Sequence, residues 1–244
     1  MVRNQAQYDA VLAAFPTITL VLGDLGAHDT LREQCLAADI IVNCATSDDL
    51  PAITTIVSSL QTSGRRAQPV YFIHTSGAGI IDDVPNGYGS PSPNLFDDIE
   101  DIHTITSWPD THWHRVVDKA VIASCRLREG GEQFDLTDAV KTAIICPPMV
   151  YGKGEGPLRQ RCVQIPELVR ISLTRGKVFQ VNQGRNLWRN VHIADLADAY
   201  LLLIEEAGHA GGRAAWGADG YYFVENGEHV NPPIPLDPWL VVFF

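Results

Sequence analysis

The strongest constraint on the fold is a regular alternation of short apolar runs with longer segments of helical periodicity. Apolar runs bounded by turn residues indicate buried strands, and apolar residues repeating every three or four positions indicate helices. The predicted strands are 18–22, 39–43, 69–74, 142–146 and 221–224, and the predicted helices are 28–38, 48–62, 112–128, 165–175 and 194–206. Such alternation predicts an α/β fold with a doubly wound parallel sheet.

Length and charge limit the number of domains and the kind of partner. With 244 residues and 45% hydrophobic content, we expect residues 1–244 to form a single domain, with small lobe segments at about 151–192 and 207–244. The net charge of -11 excludes nucleic acids and anionic membranes as expected partners. No apolar run approaches the roughly 20 residues of a membrane helix, so the expected location is cytoplasmic. The five cysteines form no Cys-x-x-Cys pair, which predicts free thiols and no metal site.

Small and polar residues follow the predicted strands, where ligands bind in sheets of this kind. These segments read Gly23-Asp24-Leu25, Asn43-Cys44-Ala45, His74-Thr75-Ser76-Gly77 and Pro147-Pro148-Met149-Val150-Tyr151-Gly152, and Val191-His192-Ile193-Ala194-Asp195-Leu196-Ala197-Asp198 follows them. Taken in order, the series resembles the extended short-chain dehydrogenase/reductase family, including its epimerase/dehydratase and atypical reductase branches. The match covers most of residues 1–226, and five weak motifs in a fixed order are more specific than any one of them.

The resemblance implies a Rossmann-like fold and a nicotinamide dinucleotide, NADP or NAD, at these strand ends. The residues it implies for the cofactor are Asp24 and Leu25 at the adenine, Asn43 and Ala45 at the ribose, Thr75 at the end of a strand, and Pro147, Met149 and Val150 around the nicotinamide. The alternative interpretation is structural: Gly-Asp forms a turn and Pro-Pro ends a strand.

Catalysis in this family uses a Ser or Thr, a Tyr and a Lys, and the matching positions here are Ser76 and Lys119. Arg115 stands four residues before Lys119, where the family has its tyrosine. A guanidinium stays protonated in proteins and cannot replace that acid. His114 is the first candidate to act as acid/base instead, since an imidazole titrates near neutrality, and Tyr88 is a second. Lys119 would keep its contact with the nicotinamide ribose. The alternative is that His114 is an exposed polar residue of the first helical turn.

The family begins with a strand and a glycine-rich turn whose backbone amides hold the pyrophosphate. This sequence contains no such turn, and residues 1–4 resemble the end of the family's second strand. We therefore expect a sheet that lacks the first strand, in a truncated gene product. Arg3 would then meet a 2′-phosphate, which favours NADP over NAD, or would simply be solvated. The proline-rich and apolar residues 231–244 do not continue the family's helical pattern.

The sequence predicts an NAD(P)-dependent oxidoreductase or epimerase/dehydratase-like protein acting on a small carbonyl or hydroxyl substrate. Polar side chains between 151 and 188 could meet that substrate, namely Arg159, Arg161, Gln183 and Arg185. The alternatives are a noncatalytic NAD(P)-binding sensor or partner-binding protein and a nonfunctional fragment. The family resemblance also implies a homodimer as the expected assembly.

Overall fold

The structure is a computed structural model that describes residues 1–63, 68–82, 87–129, 132–178, 180–185 and 187–230. The tail at 231–244 therefore lies outside the described residues. The helices are α1 Gln5–Ala14, α2 His28–Ala37, α3 Leu50–Ser63, α4 Ile102–Ser107, α5 Arg115–Ile122, α6 Gln164–Arg175 and α7 Ile193–Gly208. The strands are β1 Ile40–Asn43, β2 Val70–Thr75, β3 Arg126–Glu129, β4 Glu132–Asp135, β5 Val140–Ile145, β6 Met149–Tyr151, β7 Leu187–His192, β8 Tyr221–Tyr222 and β9 Glu228–Val230.

The central sheet has four parallel strands in the order β1-β2-β5-β8. All of its strands point the same way, so the carboxyl ends of β1, β2 and β5 lie at one edge. β6, β7 and β9 form a smaller mixed sheet, and β3 and β4 form an antiparallel hairpin. The predicted α/β class with a mostly parallel sheet is confirmed.

Helices cover both faces of the central sheet because its strands are apolar on both sides. Phe72 and Ile144 join the residues of α2, α3 and α5 in one core cluster. Their neighbours Ile73 and Ile145 face the other way and pack with residues of α7 in a second cluster. Successive side chains of a strand alternate between faces, so an uninterrupted apolar run such as Val70–Ile73 is typical of a strand buried on both. Burying each of these side chains stabilises the fold by roughly 1.5–3 kcal/mol.

The predicted strand at 18–22 is wrong as a member of the sheet. Its only pairing among the described residues is an isolated parallel bridge between Val2 and Leu22. The side chains of Ile18 and Leu22 remain 43% and 51% exposed. An apolar run forms a ladder only beside another strand, and residues 1–3 offer a partner for one bridge.

Two further expectations need correction. The predicted helix at 112–128 is shorter, because His114 adopts left-handed backbone angles before α5 and the chain enters the hairpin strand β3 at Arg126. Residues 81–109 are rich in Pro, Gly, Asp and Ser, which predicts a long surface loop, but they contain α4, whose Ile102 and Ile105 are buried in the main core cluster. Residues 83–86 of that loop lie outside the described residues. Within the described residues, no helix is both long enough and apolar enough to cross a bilayer.

Candidate active site

A cleft of about 640 Å³ lies beside the carboxyl end of β1. It brings together the three residues that the sequence suggests for the adenosine end of a dinucleotide, Arg3, Asp24 and Leu25, although all three belong to segments outside the central sheet. The lining residues are Arg3, Asp24, Leu25, Gly26, Thr46, Asp48, Asp49 and Pro51.

Backbone contacts hold this cleft in shape. Asp24 Oδ1 accepts a hydrogen bond from Gly26 N at 2.9 Å, which fixes the carboxylate in a tight turn. On the opposite wall, Asp49 Oδ1 accepts from Ala52 N at 3.0 Å and caps α3. The cap is therefore Asp49, and Asp48 is left for another contact. With one guanidinium and three carboxylates, the lining is acidic overall.

Asn43 links the tips of β1 and β2. Its Nδ2 donates to Thr46 O at 3.1 Å and to His74 Nδ1 at 3.1 Å, and its Oδ1 accepts from Ala45 N at 3.1 Å. His74 Nδ1 is an acceptor in this bond, so the proton of the neutral ring is on Nε2. Burial, followed by the proximity of His114, lowers the pKa of His74 to about 4. His74 is thus a neutral residue of the core beneath the site.

Thr75 continues this network toward α7. Its hydroxyl donates to Asn43 O at 2.7 Å and also contacts the hydroxyl of Tyr200. Burial, together with the nearby thiol of Cys44, raises the pKa of Tyr200, so its phenol stays protonated. Asn43 and Thr75 therefore lie at the strand ends where the sequence suggests a dinucleotide contact. Their side chains, however, already hydrogen-bond within the sheet, Asn43 to β2 and Thr75 to β1.

His114 lies between the cleft and the tip of β2. Its Nδ1 is 2.7 Å from Asp48 Oδ1, and only 15% of its side chain is exposed. Asp48 also lines the cleft, so this pair connects the proposed adenosine site with the turn that follows Ser76. If the helix predicted at 112–128 were continuous, His114 would point about 140° away from Lys119 around its axis. In the structure His114 lies just before α5, so this helical spacing does not apply to it.

Ser76 is turned into the core. Its Oγ donates to Asp118 Oδ2 at 3.0 Å, and Tyr221 OH donates to the same oxygen at 2.5 Å. Burial raises the pKa of Asp118 to about 6, against the hydrogen bonds from Tyr221 and Ser76, which lower it. Burial also raises the pKa of Tyr221, so this phenol is a fixed donor. The structure gives Ser76 a tyrosine neighbour that the sequence did not suggest, but one that is buried in the core.

Lys119 and Arg115 bond outside the cleft. Lys119 Nζ forms an ion pair with Asp110, and its side chain is 44% exposed. Arg115 is buried and donates through Nε to Trp108 O at 3.1 Å and through Nη2 to Thr106 O, so it braces the end of α4. Arg115 is a structural residue here.

Pro147, Met149 and Val150, which the family resemblance implies for the nicotinamide end, follow β5 and are half-buried. Pro147 O accepts from Ala78 N at 3.0 Å, which places this turn beside the one after Ser76. Met149 and Val150 begin β6, which pairs with Asn190 and Val191 of β7. No group of three or more His, Cys, Asp or Glu side chains in the described part of the chain is arranged to hold a metal.

Sequence reasoning missed Asp48, His74, Asp118 and Tyr221 as members of the site. Asp118 and Tyr221 are 103 positions apart, and Asp48 and His114 are 66 apart. No local pattern carries such pairings. Asp118 directly precedes Lys119 in the predicted helix, but nothing in the local sequence indicates that Asp118 and not Lys119 faces Ser76.

No family model matches the chain. Among curated proteins, an oxidase of an Acremonium species, ucsJ, is 36% identical over 242 residues, covering 94% of this chain and 66% of that protein. Among solved structures, the PbgP3 protein from Burkholderia pseudomallei has a TM-score of 0.56 at 12% identity, over 92% of this chain and 66% of that one. The structure of gox2253 has a TM-score of 0.50 at 13% identity, over 88% and 59%.

These likenesses have different weight. At such low identity, the solved structures show the fold alone. The chain spans 66% of the length of its curated relative, so the activity of the longer protein is not transferred to it. The sequence relative matches along nearly all of the chain, and the segments that follow β1, β2 and β5 lie at one edge of a parallel sheet. The chain therefore has a Rossmann-like fold, and its sequence is similar to that of the Acremonium oxidase along nearly all of its length.

Proposed function

We propose that this chain binds a nicotinamide dinucleotide across the strand tips and acts as an oxidoreductase or epimerase/dehydratase-like enzyme on a small hydroxyl or carbonyl substrate. The adenosine end lies in the cleft of Arg3, Asp24 and Leu25. The nicotinamide end reaches the turns that contain Ser76 and Pro147. The observation that carries the proposal is the position of Asp48, which lines the cleft and also bonds His114.

The residues present fit such a cofactor at its adenosine end. The carboxylate of Asp24 can accept from an exocyclic amine, and the apolar side chain of Leu25 can lie against a ring. Among the described residues that line the cleft, Arg3 is the one cation, and its guanidinium suits a 2′-phosphate. The three carboxylates of the same cleft oppose that phosphate, so NADP depends on Arg3 more than NAD does.

His114 is the proposed acid/base. In the oxidising direction, its Nε2 takes the proton of a substrate hydroxyl as the carbon–hydrogen bond breaks and a carbonyl forms. Asp48 stabilises the resulting imidazolium. When bound, the nicotinamide supplies the acceptor for the hydride. Ser76 contributes no proton, because its hydroxyl donates to Asp118 inside the core.

Calorimetric titration with NAD⁺ and NADP⁺ tests the cofactor. Asp24→Ala should weaken the binding of both at least about tenfold, and Arg3→Ala should weaken NADP⁺ selectively. Glu33→Gln, an exposed acid on α2, is the matched control and should change neither. If Asp24→Ala bound NAD⁺ and NADP⁺ as tightly as the native chain does, the adenosine end would have to lie elsewhere.

One observation favours a noncatalytic NAD(P)-binding protein as a second candidate. Ser76 and Lys119, the two catalytic residues that the family resemblance implies, are bonded to Asp118 and Asp110. A panel of aldehydes, ketones and alcohols, with absorbance of the reduced nicotinamide as readout, separates the two. Turnover that His114→Gln lowers by roughly 100-fold or more supports the enzyme. Tight binding without turnover supports the sensor.

A further inference from the structure

We infer that Asp48 is a positioning residue: it sets the orientation and the tautomer of His114, so that Nε2 faces the turn after Ser76 as a free base. This inference rests on the proposed function and deepens it. Asp48 needs no contact with the substrate for this role, and nothing in its local sequence distinguishes it from its neighbour Asp49.

The first support is the contact itself. Asp48 follows β1 and His114 precedes α5, and their 2.7 Å bond ties the two segments together. Partial burial raises the pKa of Asp48, but hydrogen bonds from His114 and Ser47 outweigh it, so the pKa lies below its ordinary 3.8. An ionised carboxylate only accepts hydrogen bonds, so Nδ1 must donate. The neutral imidazole then keeps no proton on Nε2.

The second support is the space under the ring. A Cβ added to Gly77 would lie 2.9 Å from His114 Nε2, and one added to Gly79 would lie 3.3 Å from it. The Nε2 edge of the imidazole therefore lies directly over the turn that follows Ser76. A side chain at Gly77 would displace the ring.

The third support is backbone strain. His114 has φ of 63° in the left-handed region, which is uncommon for a residue with a Cβ and is strained. Its side chain makes no capping bond to α5, so helix capping does not explain the conformation. This geometry instead brings the ring over Gly77 and toward Asp48.

The charges around His114 make Asp48 its dominant partner. The groups facing it are Asp48 from the loop after β1, His74 from β2 and Asp118 from its own helix. His74 is neutral near pH 7, because its pKa is lowered to about 4. Asp118 shares its carboxylate with Ser76 and Tyr221. Among the described residues, Asp48 is the one whose side chain hydrogen-bonds to the imidazole of His114.

Nitrogen NMR of histidine-labelled protein, without any cofactor, tests the inference. In the native chain near pH 7.5, neutral His114 should be protonated on Nδ1 in preference to Nε2 by about tenfold or more, as one charge-assisted bond allows. Asp48→Asn should reduce that preference about tenfold, because an amide can also donate to Nδ1. Asp48→Glu should restore part of it. Glu33→Gln is the matched control and should leave it unchanged.

A second measurement protects the test if Asp48→Asn fails to fold. In His114→Gln, the pKa of Asp48, followed by carboxyl NMR, should rise toward its ordinary 3.8. An unchanged tautomer ratio in Asp48→Asn, or an unchanged Asp48 titration in His114→Gln, overturns the inference. If the tautomer shifts as expected but the native chain binds neither NAD⁺ nor NADP⁺, the positioning holds and the proposed function fails.

With turnover in hand, the kinetics give a further readout. Asp48→Asn should lower kcat at least about tenfold and leave KM within about twofold, since the residue acts on the base and not on substrate binding. If kcat stayed unchanged and KM rose about tenfold instead, a positioning role for Asp48 would be contradicted.

Discussion

Asp118 and His74 are buried ionisable residues whose titrations oppose each other. Burial raises the pKa of Asp118 from 3.8 to about 6, and burial lowers that of His74 from 6.5 to about 4. Below pH 6.5, the unfolded chain takes up a proton at His74 that the folded chain refuses, so stability falls. In the same window, the folded chain takes up a proton at Asp118 that the unfolded chain does not yet hold, so stability rises. Each effect is worth roughly 3 kcal/mol, and the two nearly cancel.

Removing either Asp118 or His74 should reveal the pH dependence of stability that the remaining group causes. From pH 7 to pH 4, the free energy of unfolding of Asp118→Asn, measured relative to the native chain with urea, should fall by roughly 3 kcal/mol. That of His74→Gln should rise by about as much over the same range. Asp82→Asn, an exposed acid, is the control and should stay within about 0.5 kcal/mol. Parallel curves for Asp118→Asn and the native chain would show that Asp118 has an ordinary pKa.

At the scale of elements, the sheet could be predicted and much around it could not. β1, β2 and β5 are continuous apolar runs, which report their own burial. Residues 18–22 are similarly apolar, but in the described part of the chain they have no neighbouring strand with which to form a ladder. Whether such a neighbour exists depends on distant parts of the chain, so the local composition does not indicate it. α1 was missed because none of its residues is buried, so it has no apolar stripe. β7 was missed because its first half, at Leu187 and Trp188, is exposed.

The same limit applies to the site. The neighbouring positions of Asn43 and Thr75 could be predicted because the end of a strand has a fixed place in a parallel sheet, whereas Asp24 follows no strand of the central sheet and only the family resemblance suggests a role for it. The orientations of Ser76 and Lys119 could not be predicted. Adjacent positions of a helix point about 100° apart, and the structure turns Asp118, not Lys119, toward Ser76. One residue of helix phase decides which charge enters the core.

Two loops dock through Gly89, which permits a testable comparison. Gly89 has φ of 80° and is buried, and a Cβ there would lie 2.0 Å from Val181 O. Its carbonyl accepts from Arg185 N at 2.8 Å. Gly87 has a similar φ of 89°, but a Cβ there would meet only Ser90 Oγ at 3.9 Å. Gly87→Ala therefore carries the cost of left-handed backbone alone.

Gly87→Ala should lower the free energy of unfolding by roughly 1–2 kcal/mol, and Gly89→Ala should lower it further or undock the loops. Brief trypsin treatment with mass spectrometry reports undocking as faster cleavage after Arg185 in Gly89→Ala only. Identical cleavage in the two variants would mean that the loops do not depend on this contact.

At the scale of the whole molecule, stability is concentrated in the centre of the sheet. β2 and β5 are almost wholly buried between two layers of helices. The Val2–Leu22 bridge joins the two ends of segment 1–22 to each other and not to the central sheet, and α1 has no buried residue. Hydrogen exchange is slow where opening requires global unfolding and fast where few apolar contacts hold the backbone. We therefore expect peptides from 1–22 to exchange at least about 100-fold faster than those from 70–75 and 140–145.

This contrast makes the cofactor site measurable without turnover. If the adenosine end lies between Arg3, Asp24 and Leu25, adenosine monophosphate alone should slow exchange across residues 1–26, because it ties the loosely held segment to the loop at 46–51. Nicotinamide mononucleotide should instead protect the turns at 74–78 and 147–150. Intact NAD⁺ should protect both, and Asp24→Ala should lose the first effect while keeping the second. Protection of 1–26 by the nicotinamide half alone would mean that the dinucleotide runs in the opposite direction along the strand tips.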